Sequence, residues 1–399
     1  MTSVKRLTSR VAALASAPLA PEMLVPELLI ALQNTIGTDA LLPAVLVHDA
    51  KMGPLQEFVV WRGSEFTDAV RGLLSAGIWP APSSIPSVQK LMSERLSRSV
   101  YAAPLWGEGC AEEGPWGPLW RDRNVRHGYY LAAFAPSGRV CVALMSRGPS
   151  SPAFTASDIA RGEATARLVA RAVDACPVTA LPCDTLVTEV PLAFSVDGTL
   201  GTVGVGGPEL LRDLGGGGSD ATARGREIVE RAAARFRDAI LTESGEAQHR
   251  FPDVPRTIGG PEEEAAFRQG NFKLMLDART RIPRTIELAQ HEQGLFELKV
   301  AASNSMATGG MQVLGTLRRR VPRLLTVVRG LVELAAPGRE IELAMQLCTG
   351  ASLPDAAHVL GISPTSAKTL VSRLATRLGT TGQERVVDAL AQVGSAVLR

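Results

Sequence analysis

GREIELAMQLCTGASLPDAAHVLGISPTSAKTLVSRLATRLGTTGQERVVDALAQVG, residues 338–394, is the stretch whose reading decides the fold. Within it, Ala356–Leu378 reads as a helix, a tight turn and a second helix with one apolar face. Ser363 is a good N-cap, because its hydroxyl accepts from an orphan backbone N–H, and Pro364 fits the first helical position, where no N–H is needed. Gly361 supplies the turn, and Ser352 with Asp355 makes a capping-box-like pair opening the preceding helix. From Pro364 onward Ala367, Leu370, Val371, Leu374 and Leu378 recur at three and four, which predicts one buried stripe. The opposite face carries Thr365, Thr369, Ser372 and Thr376, flanked by Ser366, Lys368 and Arg373, with Arg377 near the edge. Hydroxyls and cations are side chains that contact phosphates and base edges. A helix-turn-helix sets such a helix in the DNA major groove, so these eight residues are the candidate DNA contacts. An ordinary solvated helix carries similar residues. The ordered set of capped helix, glycine turn, Ser-Pro start and apolar stripe favours DNA.

Beyond this pair, Val386, Leu390, Val393 and Val397 repeat at four, three and four on the terminal helix. That stripe has two readings: it covers a three-helix core, or it is the seam of a homodimer. A seam would present two recognition helices about a two-fold axis.

The segment resembles the LuxR-type, or GerE-like, DNA-binding domain. The matching residues are Arg339-Glu340 and Glu342, Gly350-Ala-Ser352, Ala357, Leu360-Gly361-Ile362-Ser363, Lys368-Thr369 and Arg377-Leu378-Gly379. The resemblance covers about residues 335–394. It implies that Pro364–Leu378 reads the major groove and that the helix from about Gln383 to Leu398 mediates dimer contacts.

A chain of 399 residues is long enough for about two to three domains. Its net charge of +2 excludes coating of nucleic acid by bulk electrostatics, so local contacts would have to do any binding. Cys110, Cys141, Cys176, Cys183 and Cys348 are odd in number and scattered, which fits neither a disulfide framework nor a zinc motif. The N-terminus lacks the sustained apolar run of a signal peptide. No stretch reaches the roughly 18–20 apolar residues that span a bilayer. The expectation is a cytoplasmic protein without metal or cofactor.

Upstream, residues 22–36 read as an amphipathic helix, and Ala40–Val47 and Leu55–Trp61 as strands. Phe66–Leu74 and Val88–Leu96 look helical, and Cys110–Trp120 reads as a loop. His127–Phe134 and Val140–Met145 alternate about Ala135-Pro-Ser-Gly138, a hairpin signal, and Thr155 with Asp158 boxes the start of a helix to about Val173. This pattern resembles a GAF-type sensory domain over 20–175. Strands, a short helix at Pro208–Leu214, a longer helix over Ala221–Leu241, a polar loop at Glu246–Pro261 and trailing strands at Asn271–Leu276, Leu295–Ala302 and Met311–Arg319 resemble a PAS-like domain over 184–320. Arg318-Arg319-Arg320 and Arg323 lead into a connecting helix, 321–334, which reads as solvated. The last domain spans 335–399.

Other motifs are incomplete. His291-Glu292 opens like a zinc-protease motif, but Leu295 stands where the second ligand belongs. Gly204-Val-Gly206 meets Glu209 where a dinucleotide fingerprint wants glycine. Asp49 ends an apolar strand without the acidic pair of a phosphoacceptor domain, and Cys110 with His127 needs the fold to join them. The sequence therefore predicts an α+β, non-enzymatic regulator. Its partners would be double-stranded DNA, a second copy of itself, RNA polymerase and a small-molecule or protein effector, with no membrane. The alternative is a sensor or interaction module whose helix-turn-helix no longer binds DNA, which the few cations on its outer face favour.

Overall fold

The computed structural model describes residues 2–38, 40–47, 57–60, 97–102, 117–122, 124–137, 139–174, 181–195, 198–215, 221–250, 284–291, 294–304, 311–380 and 384–398. The fold is α+β, with helices and antiparallel sheets arranged in two compact units. One comprises 1–185, 217–219 and 321–399; the other comprises 186–216 and 220–320. The expected 20–175 and 335–399 domains thus fall in one unit. Asp49, Cys110, Cys176 and the helices expected at 66–74 and 88–96 lie outside the described residues, as does the strand expected at 271–276.

The first unit opens with α1 (Thr2–Ala15) and α2 (Pro21–Ile36). The helix α1 was not expected, yet Leu7, Val11 and Leu14 recur at four and three and are all buried. Next come β1 (Ala40–Val47), β2 (Glu57–Val60), β3 (Arg98–Ala102), α3 (Gly117–Asp122), β4 (His127–Phe134), β5 (Val140–Arg147) and α4 (Ala156–Val173). Where a loop was expected up to Trp120, α3 takes the last residues, and Trp120 is buried. The sheet runs β2-β1-β5-β4-β3, every neighbour antiparallel. The capping box at Thr155 and Asp158 starts α4 as its sequence requires.

A single buried guanidinium ties these pieces together. Arg147 ends β5. It donates to the carbonyls of Ile36 (2.6 Å) and Gly37 (3.0 Å) at the end of α2, and to those of Pro152 and Ala153 before α4. It lies 3.5 Å from the Asp158 carboxylate and 4.3 Å from the Phe154 ring centroid. Five fixed donors on a planar fork suit this set, which a lysine could not serve.

The second unit contains β6 (Thr185–Phe194), β7 (Leu200–Val203), α5 (Gly207–Leu214), α6 (Ala221–Arg250), β8 (Arg284–His291), β9 (Gly294–Asn304) and β10 (Met311–Val321). Its sheet, β7-β6-β10-β9-β8, repeats the strand order of the first. Alternate residues Val190, Leu192, Phe194, Phe296, Leu298, Val300, Val313 and Leu317 face Leu210, Leu211, Leu214, Val229, Ala233 and Phe236 of the two helices. The helix α6 continues to Arg250, over the first residues of the polar loop expected at Glu246–Pro261, and 251–261 lie outside the described residues. The basic run is not free for phosphates. Arg318 pairs with Glu189, Arg319 with Asp213 and Arg320 with Glu297, at 2.9–3.2 Å.

Five helices close the first unit: α7 (Arg323–Glu333), α8 (Gly338–Cys348), α9 (Leu353–Val359), α10 (Pro364–Leu378) and α11 (Glu384–Leu398). The expectation of a solvated connecting helix is corrected here. Every residue of α7 from Leu324 to Val332 is buried, because neighbours cover it on all sides. Gly330 and Gly394 bring the α7 and α11 backbones together. A Cβ on Gly330 would lie 2.3 Å from the Leu390 carbonyl oxygen, and one on Gly394 1.8 Å from that of Thr326. On another side Arg329 pairs with Glu27 of α2 at 3.2 Å, and Arg10 of α1 donates to the Val332 carbonyl at 2.6 Å. The terminal stripe is therefore divided. Val386 and Leu390 are fully buried within the chain, Val393 is half-buried, and Val397 is exposed. Among the described residues no helix is long and apolar enough to cross a membrane.

Two stability predictions follow from this packing. Arg147→Ala should lower the unfolding free energy by about 3–5 kcal/mol in denaturant titrations, since it removes the donor to four carbonyls and one of the two guanidinium partners of the buried Asp158 carboxylate. A change under about 1 kcal/mol would show that water replaces the guanidinium. Leu390→Asp should prevent folding or cost more than about 3 kcal/mol, whereas Val397→Asp should cost under about 0.5 kcal/mol. The reverse order would return the stripe to a seam between copies.

Candidate nucleic-acid interface

The local chemistry of α8–α10 explains their sharp ends. Gly350, Gly361 and Gly379 each take left-handed φ, at +89°, +61° and +63°. After α9 the N–H of Gly361 donates to the His358 carbonyl and that of Ile362 to the Ala357 carbonyl, both at 3.0 Å. That pair of bonds satisfies the last carbonyls of the helix and reverses the chain within a few residues. Ser363 then accepts from the Ser366 N–H at 3.1 Å and starts α10, with Pro364 in its first turn. Ser352 accepts from the Asp355 N–H at the start of α9.

Ala367, Val371 and Leu374 of α10 are buried, and Leu370 and Leu378 are half-buried. All eight residues singled out on the other face are exposed: Thr365, Ser366, Lys368, Thr369, Ser372, Arg373, Thr376 and Arg377. The structure thus brings them together on one side of a single helix. Thr369 donates its hydroxyl proton to the Thr365 carbonyl (3.0 Å), and Thr376 to that of Ser372 (2.9 Å). Each keeps its oxygen lone pairs for an outside donor.

The cations divide into two kinds. Arg377 reaches back to Glu340 in the first turn of α8, with Nη1 3.1 Å from Oε2 and Nη2 3.3 Å from Oε1. The Glu340 side chain is 2% exposed, so the Arg377 charge serves a buried partner. Among the described residues neither Lys368 nor Arg373 has an ion-pair partner. Glu340 was quoted in the sequence only for its resemblance. Its partner lies 37 residues away, and no local period signals such a pair.

Elsewhere the chemistry is sparse. Burial pushes the Cys141 thiol up to about 12, which makes it an inert core residue. His127 is held below its ordinary value by burial, and by Arg126 and Arg147 beside it. A cleft beside β3 and α4 is lined by Ser97, Arg98, Glu163 and Arg167. Among the described residues no group of three or more His, Cys, Asp or Glu is placed to hold a metal ion. No protein-family model matches the chain, and no curated protein matches it.

Glu340 offers a titration test of this end of α10. Burial raises its carboxyl above the ordinary value, against the smaller opposing pull of Arg377 and Arg373. The folded state then binds the proton more tightly than the unfolded one. Stability from this group is complete below about pH 4 and declines as pH rises through the raised value. Denaturant titrations should therefore show wild type gaining most over Glu340→Gln at acid pH and least near pH 7. An advantage that grows toward neutrality would mean that the Arg377 ion pair outweighs burial.

Proposed function

We propose that the chain is a DNA-binding transcriptional regulator whose helix α10 reads operator DNA. The observation that carries this reading is the exposed hydroxyl and cation face of α10, free of acids and held rigidly from behind. Capped ends, a tight Gly361 turn and a buried apolar stripe fix the helix, as groove insertion requires. The N-terminal helices touch the first turn of α8 and the buried helix α7, and leave the eight α10 residues exposed. A regulator in which the upstream region biases the DNA-binding helices fits this attachment. The resemblance to GAF-like and PAS-like sensory domains rests on antiparallel sheets flanked by helices, and a small molecule or protein is the effector it implies.

One observation favours a second reading, an interaction module without DNA affinity. Among the α10 cations only Lys368 and Arg373 have no ion pair within the described residues, and few neutralised phosphates mean weak binding.

Binding of the full chain to fragmented genomic DNA across a salt series decides between them. Retention should fall as salt rises, as counterion release requires. Thr369→Ala and Ser372→Ala should shift sequence preference by about 1–3 kcal/mol per lost base contact. Lys368→Ala and Arg373→Ala, if they meet phosphates, should weaken all sequences alike and make the salt dependence shallower. A folded protein that retains no DNA at low salt would leave the interaction module as the reading.

A further inference from the structure

The helix α1 carries charge of one sign only. Its sequence, TSVKRLTSRVAALA, holds three cations and no acid, in a chain whose net charge is only +2. Arg10 is buried and committed to α7. Lys5 and Arg6 are exposed, and among the described residues neither has an ion-pair partner.

The position of α1 gives these charges a use. Its Ser9 lies against the start of α8, where a Cβ on Gly338 would come within 2.5 Å of Ser9 Oγ and 2.8 Å of Ser9 O. Lys5 and Arg6 stand four and three residues before Ser9. They share its face of the helix, about 4–6 Å further along the axis. Two residues beyond Gly338, Glu340 grips Arg377 in the last turn of α10. The first turn of α8 is therefore in contact with α1 at Ser9 and with the last turn of α10 at Arg377. The next acid along α8, Glu342, is paired with Arg339.

We propose that α1 is a second DNA-contacting element, in which Lys5 and Arg6 neutralise backbone phosphates flanking the stretch read by α10. This rests on the DNA-binding reading. It also answers the shortage noted there, since two cations on α10 become four across adjoining elements. Such contacts position a protein on the duplex without reading its sequence. They further make the N-terminal segment part of the grip on DNA, so that any shift of α1 against α8 changes affinity directly.

The test compares full-length wild type, Lys5→Ala/Arg6→Ala and Ser372→Ala/Arg373→Ala on the same duplexes across a salt series, with thermal melting to verify folding. Removing both α1 cations should weaken every duplex alike, about ten-fold or more at low salt. It should also lower the slope of log affinity against log salt by up to about 1.8, at about 0.9 per phosphate. Lys5→Arg/Arg6→Lys, which keeps both charges, should restore the slope. If the α10 variant changes binding while the α1 variant keeps wild-type affinity and slope, the proposal is overturned and the DNA-binding reading stands. If wild type binds no duplex at low salt, both fall. A loss confined to particular sequences would also overturn it, since phosphates carry no sequence.

Discussion

The close approach of α7 and α11 is the contact on which the C-terminal helices depend. It exists because Gly330 and Gly394 have no side chain, so each backbone presses on a carbonyl of the other helix. Any larger residue at either position would separate the helices and open the core around Leu390 and Val386. Once α7 is fixed on α11, its remaining faces are free to dock on α2 and α8. Arg329 and Glu27 then set the register of that docking, a role in which buried ion pairs are best attested.

This contact changes how the terminal helix is understood. Its apolar stripe looked available to a second copy, but a helix from earlier in the chain covers Val386 and Leu390. Val386 and Leu390 are buried within the chain, which leaves Val393 and Val397 as the less covered part of the stripe. The helices α8–α10 are also not a detachable module on a flexible tether. Through α7, Arg10 and Gly338 they share a core with the N-terminal helices, and that gives a physical route by which events upstream would reach α10.

Much of the architecture was legible where structure is decided locally. The Ser363-Pro364 start, the Gly361 turn and the Thr155–Asp158 box are set by bonds within a few residues, and the structure forms each of them. The β4–β5 hairpin was legible for the same reason, with alternation on both sides of a short turn. The failures are long-range. Ahead of α7, RLLTVVRGLVE, the basic run through Arg323 suggested water, yet the helix is buried and its Arg329 meets a carboxylate from 302 residues earlier. Arg147 joins three segments that no periodicity links, and Glu340 meets Arg377 only through the packing of α8 on α10. The strand β8 had no clear sequence signal, because the Ile286 and Leu288 alternation is short. Apart from Arg377, the candidate face itself was readable, since a helical wheel decides it once the caps are known.

Hydrogen–deuterium exchange on the full chain, with and without saturating duplex DNA, tests the central claim most directly, because it reports where DNA sits without any substitution. Slowed exchange should concentrate in residues 363–378, with α11 and the buried helix α7 unchanged. Protection centred on α11, or on the strands of either sheet with 363–378 unaffected, would contradict the account.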